Sequence, residues 1–145
     1  MRIVVVHPGS VAIVAVDRQQ RFVFVEQYRE PAQKKLLEIP AGVREDGESA
    51  LETAQRELQE ECGLHGGDWE QVAHAWTTPG FVREEMTLFI ATDLEEGEED
   101  PDDGEDVRVV RRPVDELPQL IAETEDLKTL AGLLLYQARQ ESNTT

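Results

Sequence analysis

The chain has 145 residues, of which 39% are hydrophobic, so it is long enough for one domain with a single core. We expect residues 1–145 to form that domain. The 31 acidic and 14 basic side chains give a formal net charge of −17, which opposes long-range attraction to nucleic acid and to anionic membranes. No apolar run approaches the roughly 18 residues of a membrane-spanning helix, so no span is expected.

Cys62 is the single cysteine, which excludes an internal disulfide and favours a reducing compartment. The first residues are too few for a signal peptide and lack a cleavage pattern. The sequence therefore predicts a cytoplasmic protein. We interpret Cys62 as a small buried or half-buried side chain rather than as a nucleophile.

The N-terminal third of the chain has the pattern of β-structure. Residues 3–6 are predicted to form a short strand, which His7-Pro8-Gly9 ends. Residues 11–16 and 21–27 are β-rich and flank a polar turn, so they are predicted to pair as a hairpin.

Arg29 follows this hairpin and has two interpretations. It is either a salt-bridged arginine at the end of a strand or a phosphate-binding arginine, a role for which the planar guanidinium is suited. The sequence leaves both open.

Residues 35–40 are predicted to form a strand that leads into the most informative stretch, residues 42–64. That stretch begins as a glycine-bearing loop and continues as a helix. Ser49 and Glu52 have the spacing of a capping box at the helix start, and Gly63 is placed to end the helix.

The two faces of this helix differ in chemistry. One face has an apolar stripe at helical spacing, formed by Leu51, Ala54 and Leu58. On the other face, Glu57, Glu60 and Glu61 lie three and four residues apart and repel one another. A hard divalent cation would relieve this repulsion, because magnesium and manganese prefer carboxylate oxygens. The alternative is a solvated acidic face.

The second half of the chain repeats the strand-then-helix order. Strands are predicted over 71–77, 85–93 and 107–111, and a helical region over 113–121. Trp69 and Trp76 are expected to pack. A C-terminal amphipathic helix is marked by Leu127, Leu130, Ala131, Leu134, Leu135 and Ala138. This order predicts an α+β fold, an α/β/α sandwich with a mixed sheet.

The stretch 42–64 resembles the Nudix box at each of its fixed positions. In this chain those positions are Gly42, Glu48, Arg56, Glu57, Leu58, Glu60, Glu61, Gly63 and Leu64. The resemblance implies the Nudix fold and a magnesium-dependent hydrolase, with manganese as a substitute, that acts on a nucleoside diphosphate linked to another moiety.

The resemblance also implies roles for particular residues in metal binding. Glu57 and Glu61 are expected to be direct metal ligands, and Glu60 a third ligand or a carboxylate just outside the ligand set. The backbone carbonyl of Ala41 is expected to ligate a metal. Arg56 is expected to orient a helix carboxylate, Glu48 or Glu57, rather than to touch substrate.

A general base should come from outside the helix, because metal coordination lowers the basicity of the helix carboxylates. The run 95–106 holds nine acids among twelve residues. Within it, Glu105 and then Asp103 are the expected bases, and the alternative for each is a solvated loop acid.

Beyond the box, the chain is similar to the ADP-ribose pyrophosphatase group. The similarity lies in residues 26–29, residues 37–42 and the turn 78–81. It implies ADP-ribose or another ADP-sugar as substrate, giving AMP and a sugar phosphate, with substrate contacts from Arg29, Glu38, Pro79 and Phe81. Two alternatives are a Nudix hydrolase of another nucleotide-sugar, dinucleoside polyphosphate or oxidised nucleotide, and a non-catalytic domain that senses a nucleotide or cation.

Related enzymes usually carry one more small sheet before the segment that matches residues 1–7. That sheet often contributes to a dimer and to adenine binding. Since the sequence matches the related enzymes only from the segment after that sheet, we expect this chain to lack it. A homodimer is one expected state, and its geometry and the base specificity stay open at this point.

Overall fold

A computed structural model describes residues 1–98 and 106–144. The helices are α1 (Ala50–Cys62), α2 (Leu117–Glu123) and α3 (Leu127–Asn143), and a 3-10 turn at Val114–Glu116 precedes α2. The strands are β1 (Val5–Val6), β2 (Ser10–Asp17), β3 (Arg21–Arg29), β4 (Lys34–Glu38), β5 (Ala41–Val43), β6 (Leu64–His65), β7 (Asp68–Trp76), β8 (Val82–Arg83), β9 (Glu85–Glu96) and β10 (Val107–Pro113).

The main sheet is built around β2. Its strands run in the order β10-β3-β2-β9-β6, with β4 paired to β3, β5 to β2 and β7 to β9. Strand β2 pairs antiparallel with β3 and β5 but parallel with β9, which confirms the predicted hairpin and the mixed sheet.

Every residue of β2 is buried, because helices cover both faces of the sheet. Alternate residues of the strand, such as Ile13 and Val14, point to opposite sides. Ile13 packs in the core beneath α1, and Val14 packs in the core beneath α2 and α3. This arrangement confirms the α/β/α sandwich.

Helix α1 has the predicted ends. Ser49 Oγ accepts a hydrogen bond from the Glu52 N–H at 3.1 Å, and Gly63 forms a left-handed C-cap. Its buried face was partly mispredicted, because Leu51 is exposed and Thr53 is buried. Cys62 is buried, as predicted.

Helix α3 buries a face that overlaps the predicted one only in part, since Ala131 and Leu135 pack against the core. Leu127 and Leu134 are exposed, whereas Thr129, Gly132, Leu133 and Tyr136 are buried. The reason is close contact with the sheet: a Cβ on Gly132 would lie 2.8 Å from Val14 Cγ2 and 3.1 Å from Ile39 Cδ1. Because Gly132 has no side chain, the helix can approach the sheet closely at this position. Leu127 and Leu134, which belong to the predicted apolar face, then point outward.

Two further predictions from the sequence differ from the structure. Trp69 packs edge-on against Phe89, with ring centroids 5.9 Å apart, but Trp76 is exposed. The strand predicted over residues 3–6 is shorter in the structure, where only β1 is formed. This strand pairs with β8 in a separate two-stranded parallel sheet. Within the described part of the chain, no helix has the length and apolar character needed to cross a membrane.

A buried carboxylate, Asp17, joins the β2–β3 turn to the edge strand β10. Its Oδ1 accepts hydrogen bonds from the N–H groups of Gln19 and Arg21 at 2.9 and 3.0 Å. Its Oδ2 accepts from Arg21 Nε and Arg111 Nη1, both at 2.9 Å. Since Asp17 is only 2% exposed, both guanidinium groups depend on it for a buried partner.

We expect Asp17→Asn to lower the free energy of unfolding by about 3 kcal/mol, because it leaves two arginines beside a neutral buried group. Asp93→Asn is the matched control, since Asp93 pairs with Arg18 on the exposed surface. That change should cost less than about 1 kcal/mol. Urea titrations of both variants measure the difference, and equal losses would contradict a structural role for Asp17.

Candidate active site

A large pocket lies where α1, the loop before it and the start of α3 meet the sheet. Its volume is about 1260 Å³. Strand β5, the end of β3, the start of β10 and the segment around the end of β7 also contribute to its wall. The pocket therefore collects side chains from distant parts of the sequence.

The three α1 carboxylates predicted to bind metal all line this pocket: Glu57, Glu60 and Glu61. Ala41 lines it too, and β5 holds this residue in register with Ala12 of β2. The structure thus brings together the four residues that the sequence assigned to a metal.

Gly42 makes the approach of Glu57 to β5 possible. A Cβ at Gly42 would lie 2.3 Å from both Cγ and Cδ of Glu57 and 2.8 Å from its Oε1. Any larger residue would therefore displace the carboxylate. The glycine is required here because the helix side chain passes directly over the strand backbone.

Burial raises the pKa of the Glu57 carboxyl, because the charged form loses solvation. The neighbouring charge of Glu60 acts in the same direction, and Arg56 opposes both. A cation placed beside Glu57 would favour its ionised form.

Arg56 is the cation at the centre of the acidic face. Its Nε and Nη2 donate to the two oxygens of Glu48 at 2.9 and 3.0 Å. Its Nη1 donates to Glu57 at 3.1 Å and to Glu60 at 3.2 Å. The hydrogen bonds to Glu48 raise the pKa of Arg56, so the guanidinium stays charged. The predicted contacts with Glu48 and Glu57 are present.

The donor chemistry of this wall fits a hard divalent cation. Carboxylate and carbonyl oxygens are the ligands that such ions prefer. In the described part of the chain, no three acidic, histidine or cysteine side chains already surround one point. Instead, the guanidinium of Arg56 forms ion pairs with both Glu57 and Glu60.

Glu38 lies behind the pocket rather than in its wall. The carboxylate is 2% exposed and accepts hydrogen bonds from Arg29 Nε and Nη2 at 2.7 and 2.8 Å. Lys128 Nζ also donates to it. Burial alone would raise the pKa of Glu38, but the hydrogen bonds from the two cations outweigh it and lower the pKa.

Arg29 fits both of its interpretations from the sequence. It forms the strand-end ion pair, and it also lines the pocket. The hydrogen bond to Glu38 raises the pKa of Arg29, and the negative charges of Asp126 and Glu61 add to this. Because Glu61 lies on α1, the charge of Arg29 interacts with the acidic face of that helix.

The turn after β7 contributes differently from the prediction. Pro79 and Phe81 are not among the residues that line the pocket, and Phe81 is exposed. Thr77 and Thr78 line it instead. After β7 ends at Trp76, the chain reaches the pocket with Thr77 and with Thr78, the first residue of the turn, rather than with Pro79 and Phe81.

Sequence reasoning missed two further groups in the pocket. Lys128 lines it from the first turn of α3, and its partner Glu38 is 90 residues earlier in the chain. Glu84 lines it next to Thr77, whose hydroxyl donates to the Glu84 carboxylate at 2.7 Å. Neither group has a local spacing that marks a site, and only the fold brings them to it.

Glu105 and Asp103, the predicted general bases, lie outside the described residues.

The comparisons with known proteins agree with this geometry. The NUDIX domain family matches residues 6–133. The methanol dehydrogenase activator of Bacillus methanolicus is 38% identical over 143 residues, which cover 96% of this chain and 77% of that protein. The ADP-ribose pyrophosphatase of Bacillus subtilis (strain 168) is 34% identical over 143 residues with the same coverage of each chain.

A solved structure of an ADP compounds hydrolase has the same fold. It superposes with a TM-score of 0.84 at 23% identity, and the match covers 93% of this chain and 74% of that one. Members of the Nudix family generally use a divalent metal, in accord with the oxygen donors gathered here. The family match over most of the chain and the two relatives matched over 96% of it lead to one conclusion: this chain belongs to the Nudix family of hydrolases.

Proposed function

We propose that this protein hydrolyses the diphosphate bond of an ADP-sugar, with ADP-ribose as the first candidate, to give AMP and a sugar phosphate. One observation carries the proposal: a single pocket holds the three carboxylates of α1 together with the cations Arg29 and Lys128. Such a pocket can hold both a metal ion and the phosphate oxygens of a nucleotide. The name of the relative from Bacillus subtilis supports the ADP-ribose assignment.

We assign the metal site to Glu57 and Glu61, with Glu60 as a third ligand or a neighbour of the ligands, and to the carbonyl of Ala41. The proposed ion is Mg²⁺, with Mn²⁺ as a substitute. When bound, the ion would neutralise negative charge on the phosphate oxygens and lower the pKa of a water molecule.

The residues of the chain have separate tasks in this proposal. Arg56 holds the carboxylates of Glu48 and Glu57 in place, so it is a positioning residue. Arg29 contacts phosphate with the donors that Glu38 does not use. Glu38 is buried and has both cations as partners, so it acts through them rather than by touching the substrate.

In this proposal Glu105 is the first candidate for the general base and Asp103 is the second, as the sequence predicts. Glu57 and Glu60 already accept hydrogen bonds from Arg56 at 3.1 and 3.2 Å. A base from another segment would leave the acidic helix for metal binding.

The relative from Bacillus methanolicus favours a second candidate function. It is named an activator of methanol dehydrogenase, and its identity to this chain is 38%. Activation of an alcohol dehydrogenase is therefore a second proposal. The rate of such a dehydrogenase with and without this protein tests it directly.

A substrate panel tests the first proposal. We expect ADP-ribose or another ADP-sugar to be hydrolysed with Mg²⁺ and product formation to cease in EDTA, because the carboxylates alone cannot neutralise the phosphates. Product analysis by chromatography should give AMP and a sugar phosphate. Faster hydrolysis of a dinucleoside polyphosphate or oxidised nucleotide would contradict the ADP-sugar assignment, and full activity in EDTA would contradict the metal assignment.

Glu61→Gln keeps the size of the side chain but removes its charge. We expect kcat to fall by about 10²-fold or more, the range seen when groups around a metal are changed. Circular dichroism should show a folded variant. Glu70→Gln, which removes an exposed carboxylate of β7 paired with Arg139, is the control and should retain its turnover. Normal turnover of folded Glu61→Gln would remove Glu61 from the site.

Gly42→Ala should displace Glu57, because the added Cβ would overlap its Cγ and Cδ. A shift of about 1 Å in a reacting group can cost about 10²-fold in rate, so we expect kcat to fall by that order. Gly80→Ala is the control, since nothing lies within 4 Å of a Cβ there. If Gly42→Ala and Gly80→Ala have the same kcat, the contact between β5 and Glu57 does not matter for catalysis.

A further inference from the structure

Lys128 is a half-buried cation in the wall of the pocket. Its side chain is 17% exposed, and it lies in the first turn of α3, between Asp126 and Thr129. It lines the same pocket as Arg29, which comes from the end of β3. Two cations from distant parts of the chain therefore share one wall.

The buried carboxylate of Glu38 fixes both cations. It accepts two hydrogen bonds from Arg29 and one from Lys128, so neither cationic group can turn freely away. Glu38 itself does not line the pocket, whereas Arg29 and Lys128 do. The Glu38 carboxylate thus lies behind the two positive groups, while Asp126, which also bonds to Lys128, lies beside them in the pocket wall.

Donor capacity remains on both cations after these bonds are counted. An ammonium has three N–H donors and a guanidinium has five. Within the described part of the chain, Lys128 uses donors for Glu38 and Asp126, and Arg29 uses two for Glu38. One donor of Lys128 and three of Arg29 are left for a ligand. Buried partners that fix a charged group while leaving donors for a ligand are typical of prearranged binding sites.

Helix α3 is also docked on the sheet by bonds that do not involve Lys128. Asp126 Oδ2 accepts from the N–H and the hydroxyl of Thr129 at 3.1 and 2.6 Å, which caps the helix. Thr129 Oγ1 in turn accepts from the N–H of Ile39 at 2.9 Å. These bonds tie the helix to the chain beside Glu38, so the position of α3 does not depend on the Lys128–Glu38 ion pair alone.

We propose that Lys128 contacts a phosphate of the substrate and that it does so together with Arg29. The ligand class is a nucleoside diphosphate, and the inference rests on the proposed function for its substrate. A metal ion held by the α1 carboxylates would neutralise one part of the diphosphate, and the two cations bind oxygens that the metal leaves free. Lys128 thereby makes the pocket selective for ligands that carry the second phosphate.

Binding of α,β-methylene-ADP tests this role without turnover, because the bond to be cleaved is replaced. Affinity is measured by isothermal titration calorimetry in Mg²⁺. We expect Lys128→Met to weaken binding by about 10-fold or more, the loss typical of a charge-assisted hydrogen bond. Lys128→Arg should recover part of the affinity, since it restores a charged donor.

Lys34→Met is the matched control. Lys34 also pairs with an acid just before α3, Glu125, but it is 48% exposed and does not line the pocket. We expect this variant to bind the analogue as the wild type does. An equal loss of affinity in both variants would mean that the effect comes from net charge alone, and it would overturn the proposal.

Lys128→Gln is the second variant, for the case in which Lys128→Met does not fold. A glutamine amide can still donate to Glu38, so the buried carboxylate keeps a partner. Wild-type affinity in folded Lys128→Met or Lys128→Gln, or no binding of the analogue to the wild type, would overturn the proposal. If binding depends on Lys128 but no ADP-sugar is hydrolysed, the proposed function fails and this inference stands.

Discussion

The geometry of the site depends on ion pairs in which one charged side chain bonds to several groups of the opposite sign. On one wall of the pocket a single guanidinium, Arg56, serves Glu48, Glu57 and Glu60. On another wall Glu38 bonds to both Arg29 and Lys128, and Asp126 bonds to Lys128 as well. The acidic wall keeps an excess of negative charge, because one guanidinium cannot neutralise three carboxylates, whereas the other wall presents cationic N–H donors. In the proposed function, a divalent cation bound to a diphosphate would meet the carboxylates of the first wall, and the diphosphate would meet the N–H donors of the second.

The local features of the fold were predictable because their determinants are close in sequence. The capping box of α1, its glycine end and the acidic spacing all lie within residues 42–64, and the structure contains each of them. The hairpin of β2 and β3 was predictable for the same reason. By contrast, Glu38 and Lys128 meet only through tertiary packing, and no spacing in the chain indicates such a contact.

The errors on the helices have a common physical cause. Helical periodicity indicates which residues could form an apolar face, but the contact with the sheet decides which face is buried. On α3 the close approach at Gly132 selects the face with Thr129 and Tyr136, and it turns Leu127 outward. On α1 the buried hydroxyl of Thr53 bonds to Glu48 and replaces Leu51 in the interior. Polar side chains with specific partners are harder to foresee than apolar ones.

The parallel pairing of β2 with β9 has a consequence for how the molecule folds. Ser10 pairs with Met86, so about half of the chain lies between two residues that are neighbours in the sheet. Closing so long a loop costs entropy before the contact returns any stability, and such pairings form slowly. The β2–β3 hairpin and α1 are local and can form earlier. The pocket needs β5, α1, the end of β7 and the start of β9 together, so it can be complete only once the long-range β2–β9 pairing has formed.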